Sequence, residues 1–438
     1  MPELIVVGGG PAGLAAAFRL QQAGHRVRVL EAAGRPGSKL SAGRRDGFLV
    51  DRGAFFIPTT HRHFLKLAED AGLADELVPG GFSLGIARGG EIHRIDGEHL
   101  GWDFLRTKAL STRAKLGAAK LAPELVRARR ATIERIEEAG RYDTESLQSW
   151  SQRKLNRELA DYLIDPAIRA IYATEGDSVS RVEFLGMLAL FGGAKLLAFR
   201  EGMAYYADGL AEQLDVTTGA RVGVVEQAPT GAEVSWRDAE GKDHADEVDG
   251  CVVALPAQLA AEVLPGLDPW RRDYLNAVRR GRLLIVSVAL SAAPAGVDAM
   301  YTMVPRAEHP FLGGIVCDHL KAPGRAPEGK GLLTLALTEP WCEQHFSDDD
   351  ESVIAAALDA VDRFMPGTSA NVEFAEVQRW RQQYSSVGHY AGLGEFRARS
   401  GSQDTTVQLA GEYLSAPHLS AATATGERAA ADLQAALG

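Results

Sequence analysis

The chemistry-bearing residues nearest the N-terminus are glycines and one acid. Gly8-Gly9-Gly10-Pro11-Ala12-Gly13 follows a short apolar strand over residues 3–7 and opens a helix over residues 14–22. Gly24 stops that helix, and a second strand over residues 27–30 ends at Glu31. Each position has a physical task in holding a dinucleotide. Gly8 permits the tight turn out of the strand, Gly10 lets backbone approach a pyrophosphate, and Gly13 lets helix and sheet pack closely. The helix N-terminus offers free N–H groups and partial positive charge to the phosphates. Glu31 stands where a carboxylate accepts from ribose hydroxyls, and an acid there disfavours the extra phosphate of NADP.

Reactive side chains further along are sparse. Tyr384 and His389 lie in a strand–turn–helix join and are candidates for lining a pocket. Phe55 and Phe56 follow Asp51-Arg52-Gly53 and are candidates for the same pocket or for core. His61 and His63 lie two apart, which suits a strand pair but supplies too few ligands for a metal, so no metal site is expected. Asp348, Asp349, Asp350 and Glu351 read as a helix start complementing its dipole, because adjacent acids on one turn do not converge on a cation. Cys251, Cys317 and Cys342 are widely spaced and give neither a disulfide framework nor a zinc site. No Ser–His–Asp arrangement or carboxylate pair stands out, so no catalytic residue is assigned.

The glycine turn has company. After Glu31 comes Ala32-Ala33-Gly34-Arg35-Pro36-Gly37-Ser38-Lys39, then Asp46-Gly47-Phe48-Leu49-Val50-Asp51-Arg52-Gly53-Ala54. Near the end, Val407-Gln408-Leu409-Ala410-Gly411-Glu412 precedes an alanine-rich helix over residues 421–437 that contains Gly426-Glu427-Arg428. This set resembles the FAD-dependent amine oxidase, protoporphyrinogen oxidase and phytoene desaturase superfamily. Arg200-Glu201-Gly202-Met203 is similar to the entry of its second cofactor-domain segment. Arg379-Trp380, Tyr384 and Gly388-His389 resemble a motif of the bacterial protoporphyrinogen oxidase branch, without its proline.

The resemblance implies FAD as cofactor. It implies cofactor contacts at Gly8, Gly10, Pro11, Ala12, Gly13, Glu31, Lys39, Gly53, Val222, Ala254, Gly411, Glu412, Leu419 and Ala422. Val222 would meet adenine through its backbone, and Gly411 with Glu412 would meet the ribityl–phosphate part. The start of the last helix would point N–H groups at the flavin edge that becomes negative on reduction. Ser38 and Lys39 stand where the family has glycine and arginine. Lys39 keeps the charge but not the planar fork, and Ser38 restricts the backbone. No cysteine lies in the C-terminal segment where some members bond covalently to flavin, so non-covalent FAD is expected.

The implied activity is that of an FAD-dependent oxidase or dehydrogenase. It would remove a hydride equivalent from a small to medium hydrophobic substrate at a C–N or activated C–C/C–H position. O2, a quinone or another acceptor would reoxidise the flavin. Amine oxidases often carry a lysine on the strand matching residues 283–290, and none occurs there, which favours the protoporphyrinogen-oxidase-like or desaturase-like branch. Alternatives are protoporphyrinogen oxidation proper, amine or amino acid oxidation, isoprenoid or natural-product desaturation, a redox-neutral isomerase, and a non-catalytic FAD-fold binding protein.

These residues need a large, soluble scaffold to hold them. At 438 residues, with 46% hydrophobic and 24% charged content, two domains are expected. The net charge of −11 argues against nucleic acid as a partner. Met1 leads straight into the first strand without a charged-then-apolar leader, so a cytoplasmic location is expected. The fold class expected is α/β, a doubly wound Rossmann-like FAD-binding domain plus a discontinuous α+β substrate domain. Residues 1–80, 200–268 and 399–438 are assigned to the first, and residues 81–199 and 269–398 to the second. The apolar run over residues 184–199 reads as a buried helix. Residues 106–140 read as helical, and Arg113, Lys115, Lys120, Arg127, Arg129, Arg130 and Arg135 make them basic. That face is either solvated or in peripheral contact with a membrane or acidic partner. A helix pair over residues 142–165 is expected to stop at Asp165-Pro166.

Overall fold

The structure, a computed structural model, describes residues 1–96, 100–129, 131–400 and 405–438. Two sheets organise it. The first has five strands in the order Asp215–Thr218, Arg26–Glu31, Glu3–Val7, Gly250–Val253 and Val407–Leu409. Every neighbouring pair in it is parallel, so segments far apart in the chain meet edge to edge. Both faces are covered, as a parallel sheet requires. In the strand Glu3–Val7, Leu4 and Val6 pack with the helices Pro11–Gln22 and Leu419–Leu437. Ile5 and Val7 pack on the opposite face against an antiparallel meander, Arg221–Ala228, Gly231–Arg237 and Asp243–Val248. The α/β class read from the sequence is present, with that meander covering one face.

The second sheet has seven strands in the order Val372–Tyr384, Arg279–Leu290, Gly331–Leu337, Leu312–Cys317, Tyr301–Met303, Ser83–Arg88 and Glu91–Asp96. Its pairs are antiparallel except Tyr301–Met303 with Ser83–Arg88. Strand alternation divides its labour. Leu284, Val286, Leu333 and Leu335 pack under the helix Asp350–Asp362, while Leu283, Ile285 and Ala336 face the other way, towards Phe55 and Trp380. The acid run does start that helix: the Asp349 side chain accepts from the Ser352 N–H at 2.8 Å.

A buried ionic cluster joins the two halves. The Lys321 ammonium lies 2.8 Å from Asp51 and 2.5 Å from Asp318, and the Arg325 guanidinium lies 3.2 Å from Asp51. Asp51 also accepts from the Met203 N–H, and Asp318 accepts from the Thr334 hydroxyl of the second sheet. All four charged side chains are at most 1% exposed, and two positive charges balance two negative.

Two sequence expectations need correction. The run over residues 184–199 is not one helix: Arg181–Phe191 is helical, Gly192 and Gly193 break it, and Leu196–Phe199 is a strand. Gly193 has φ +77°, which a helix cannot continue through. Residues 106–140, expected to be helical, hold the short helices Thr112–Gly117 and Ala122–Ala128 and the 3₁₀-helical turns Ala118–Leu121 and Ile133–Tyr142. Asp165-Pro166 begins the helix Asp165–Tyr172 rather than ending one, fed by a π-helical turn over Ala160–Ile164. Pro166 lies in the first turn, where its absent N–H breaks few helix bonds.

Candidate functional site

The first glycine turn is closed by hard contacts. A Cβ on Gly13 would lie 1.8 Å from the Gly8 carbonyl oxygen, and Gly8 itself has φ +102°. Ala254 backs this turn: its N–H donates to Val7, and a Cβ on Gly8 would meet its carbonyl oxygen at 2.7 Å. Gly10 differs, because a Cβ there would meet nothing nearer than the Ser38 Cβ at 3.8 Å. Gly10 is the N-cap of the helix Pro11–Gln22, and no side chain satisfies the first N–H groups of that helix among the described residues. Pro11 occupies the first turn, and Ala12 is crossed by the final helix so closely that a Cβ on Gly426 would lie 2.0 Å from its carbonyl oxygen.

Glu31 is held by the same turn. Its carboxylate accepts from the Gly9 N–H and the Ala33 N–H, each at 2.7 Å. A carboxylate has about four acceptor positions, which leaves capacity for ribose hydroxyls. The Gly219 and Ala220 N–H groups donate to the Ala33 and Glu31 carbonyls, which brings the strand containing Val222 beside the acid. Gly37 donates to the Gly9 carbonyl, joining the second glycine turn to the first. Ser38 has φ +52°, the left-handed region that glycine occupies without strain.

A cavity of about 180 Å³ lies between the two sheets. One end is polar and is formed by Lys39, Gly53, Gln382, Glu412 and Leu419. The Lys39 ammonium donates to Gln382 and stands 3.7 Å from the Glu412 carboxylate. Gly53 is pressed against Lys39, since a Cβ there would lie 2.2 Å from its carbonyl oxygen. Gly411, at φ +152°, donates its N–H to the Thr425 hydroxyl and turns the chain from the strand Val407–Leu409 into Glu412. Leu419 opens the final helix and lines the cavity; Ala422, in its first turn, is buried against the first sheet.

The remaining wall is apolar. Phe55 and Phe56 line it with Ile171, Phe191, Leu283, Ile285, Tyr301 and Trp380. Phe56 makes edge-on ring contacts with Phe191 and Tyr301, each at 6.0 Å, and the Trp380 N–H is used on the Arg52 carbonyl at 2.7 Å. Two histidines complete the lining. His61 and His418 stack with ring centroids 5.2 Å apart, and burial holds both well below the ordinary histidine range, His418 at about 4. His418 accepts from the Ala421 N–H and so caps the final helix, whereas neither ring nitrogen of His61 has a hydrogen-bond partner among the described residues. A polar ligand in the cavity would supply one.

Tyr172 also lines the cavity, with its hydroxyl hydrogen-bonded to Glu183. Glu183 is 2% exposed and accepts from the Tyr390 hydroxyl at 2.7 Å. Burial pushes its carboxyl up to about 7, and the nearby Asp143 adds to that.

Tyr384 and His389 do not line this cavity. Tyr384 is buried beyond its end, its ring over Gly281 beside Arg279 and Glu339. His389 is buried on the far side of the join, its ring 6.3 Å from that of Tyr274, and burial lowers it to about 4. Trp380 and Gln382, which do line the cavity, precede Tyr384 on the same face of the strand Val372–Tyr384, and strand alternation is the signal that could have found them. His61 and His63 are not a strand pair. They begin the helix Arg62–Asp70, with His63 turned away to Glu427 and Glu134. Nothing in the sequence singled out Tyr172, Tyr301 or His418.

The residues present fit a dinucleotide cofactor. Gly10 keeps an open cradle, Glu31 retains acceptor capacity, two helices direct N-termini to the same side, and His61 awaits a partner. Comparison with known proteins agrees. The family model described as flavin containing amine oxidoreductase matches residues 11–434. Coproporphyrinogen III oxidase of Propionibacterium freudenreichii subsp. freudenreichii is 24% identical, covering 94% of this chain and 87% of the relative. A putative protoporphyrinogen oxidase structure from Exiguobacterium sp. 255-15 superposes with a TM-score of 0.77 at 19% identity, covering 99% of each chain. Cyclohexylamine oxidase from Brevibacterium oxydans IH-35A superposes with a TM-score of 0.79 at 17% identity, covering 100% of this chain and 99% of that one. With the cradle, the cavity and a match across nearly the whole length, the chain belongs to the flavin containing amine oxidoreductase family, as an FAD-dependent oxidoreductase.

Proposed function

We propose that the protein oxidises a small, largely hydrophobic molecule at a C–N or activated C–C/C–H position. The FAD is held without a covalent bond and passes its electrons to O2, a quinone or another acceptor. Bound FAD would supply the hydride acceptor; the chain's own task is to orient the substrate and exclude water. The observation that carries this reading is the distribution of charge in the cavity. Lys39 and Glu412 stand together at the polar end, and among the described lining residues no other side chain carries a permanent charge. Beyond the Lys39–Glu412 end, which the cofactor would share, the rest of the lining is aromatic and aliphatic and suits a small apolar substrate.

The named relatives offer two substrate types. A porphyrinogen with ionised carboxylate arms would need cations on the wall, and Lys39 is already turned to Gln382 and Glu412. A neutral hydrophobic amine would meet aromatic and aliphatic surface. Non-covalent attachment is supported by the cysteines: Cys251, Cys317 and Cys342 are fully buried, none lines the cavity, and burial pushes each thiol up to about 12. Anaerobic mixing of the flavin-loaded protein with cyclic and branched amines, and separately with porphyrinogens, tests the reading. Bleaching of the flavin band by an apolar amine is expected. Bleaching by carboxylate-bearing porphyrinogens alone would overturn it.

A further inference from the structure

We propose that His61 takes up the proton that leaves the substrate together with the hydride. The role rests on the oxidation proposed above. Removing a hydride from a C–H bond and closing a C=N or C=C bond also frees one proton, from the nitrogen or the neighbouring carbon. The hydride passes to the flavin, and the proton needs a base on the cavity wall.

The other polar groups of the lining are committed. Lys39 stands against Glu412 and donates to Gln382. The Tyr301 hydroxyl is used on the Ala170 carbonyl, and the Tyr172 hydroxyl on Glu183. His418 Nδ1 accepts from the Ala421 N–H at 3.2 Å. A neutral imidazole has one acceptor nitrogen, so this cap leaves His418 none for a proton. His61 is 4% exposed and lines the cavity, and neither ring nitrogen has a hydrogen-bond partner among the described residues. In either tautomer one of them is an open acceptor.

The ring is held in place from three sides. The His61 N–H donates to the Pro58 carbonyl at 2.9 Å, and His61 is the N-cap of the helix Arg62–Asp70. The adjacent Thr60 hydroxyl donates to the Leu190 carbonyl of the wall helix Arg181–Phe191. The His418 ring of the final helix stacks on it at 5.2 Å, the planes 14° apart. Charged neighbours are turned elsewhere. On its own helix Arg62 is exposed and His63 is used on Glu427 and Glu134, while the wall helix presents the uncharged Leu190 and Phe191. Burial, and then His418, hold His61 well below the ordinary histidine range, so it is neutral and able to accept. Negative charge gained by the flavin on reduction supplies the counter-charge that favours the imidazolium. Reoxidation empties both sites: the acceptor receives the hydride from the flavin and the proton from His61, giving H2O2 from O2 or a quinol from a quinone.

Spectroelectrochemical titration of the flavin-loaded protein against pH tests this without a substrate. Above neutral pH the wild type should take up two protons per two electrons, one on the flavin and one on His61. His61→Phe keeps a ring on His418 and His61→Gln keeps hydrogen bonding, but neither titrates, so each should take up one. A wild type that takes up one proton, or variants that take up two, would overturn the proposal. So would loss of flavin from both variants, which would make His61 a cofactor contact. Anaerobic mixing with the cyclic and branched amines separates this role from the oxidation it rests on. The variants should bleach the flavin band about a hundredfold more slowly than the wild type, and equal rates would overturn the proposal. A wild type that no amine bleaches but that still takes up two protons would refute the amine reading and retain His61 as the proton site.

Discussion

The cofactor cradle is built from backbone, whereas the cavity wall across from it is built from side chains. On the reading proposed above, Gly8, Gly10 and Gly13 would act through what they lack, and the two helix N-termini through N–H groups. These parts are local: the first strand, turn and helix occupy consecutive positions. The wall instead draws Phe56, Tyr172, Ile285, Tyr301, Trp380 and His418 from six separate stretches that only the folded sheets bring together. A backbone cradle tolerates little change of residue type and binds a constant ligand. A side-chain wall can be rebuilt one position at a time, which lets one fold serve different substrates.

The hinge of this contrast is the buried cluster that ties cradle to wall. Lys321→Met leaves Asp51 and Asp318 with one cation between them and should cost about 3–5 kcal/mol in denaturant unfolding. A loss within about 0.5 kcal/mol would mean that the halves are held by packing alone.

Glu183 sharpens the comparison from the wall side. Its carboxyl titrates near 7 in the fold against an ordinary 4.5, so between those values the folded state binds more protons than the unfolded state. Stability from this group therefore falls as pH rises through that window, by about 3 kcal/mol in all. His418, lowered to about 4, acts with the opposite sign below 6.5, so the informative quantity is the difference between wild type and Glu183→Gln. The wild type should lose stability relative to the variant between pH 5 and pH 8; parallel curves would contradict the assignment.

Smaller effects separate lining from support. Phe56→Ala should raise KM for an apolar substrate about tenfold with the flavin spectrum intact, because its ring forms cavity surface. Tyr384→Phe should leave KM unchanged, because its hydroxyl is buried outside the cavity without a hydrogen-bond partner among the described residues. Equal responses would erase the distinction between the two positions. Ser38→Gly should stabilise the protein by about 0.5–1 kcal/mol, as it relieves a left-handed serine in the second glycine turn. A destabilised variant would show that the serine side chain is itself needed there.

Legibility from sequence follows the same division. The strand expected over residues 3–7 is the strand found, and the acid at its partner's end is where the turn bonds to it. The expected strand over residues 283–290 is the C-terminal part of the longer Arg279–Leu290. Elements were misread where one residue type carries two meanings. Gly192-Gly193 ends the helix inside an apolar run that reads as one buried helix, and Pro166 reads as a stop although proline also starts helices. Tyr384 and His389 carry polar groups that suggest chemistry, but burial spends them in support, while the cavity is formed by Trp380 and Gln382. Which of several alternating residues reaches a cavity depends on where the strand ends against its neighbours. That is a long-range property.

The central claim is that an open glycine cradle holds FAD independently of the wall. Its most direct test is the visible spectrum of purified wild type and Gly10→Val, each recorded before and after denaturation. A Cβ at Gly10 meets only the Ser38 Cβ at 3.8 Å, so the variant should fold with the wild-type unfolding midpoint yet bind little or no flavin. The wild type should show a flavin band that leaves the chain on unfolding. Full flavin in Gly10→Val, or a colourless wild type that takes up no added FAD, would contradict the account.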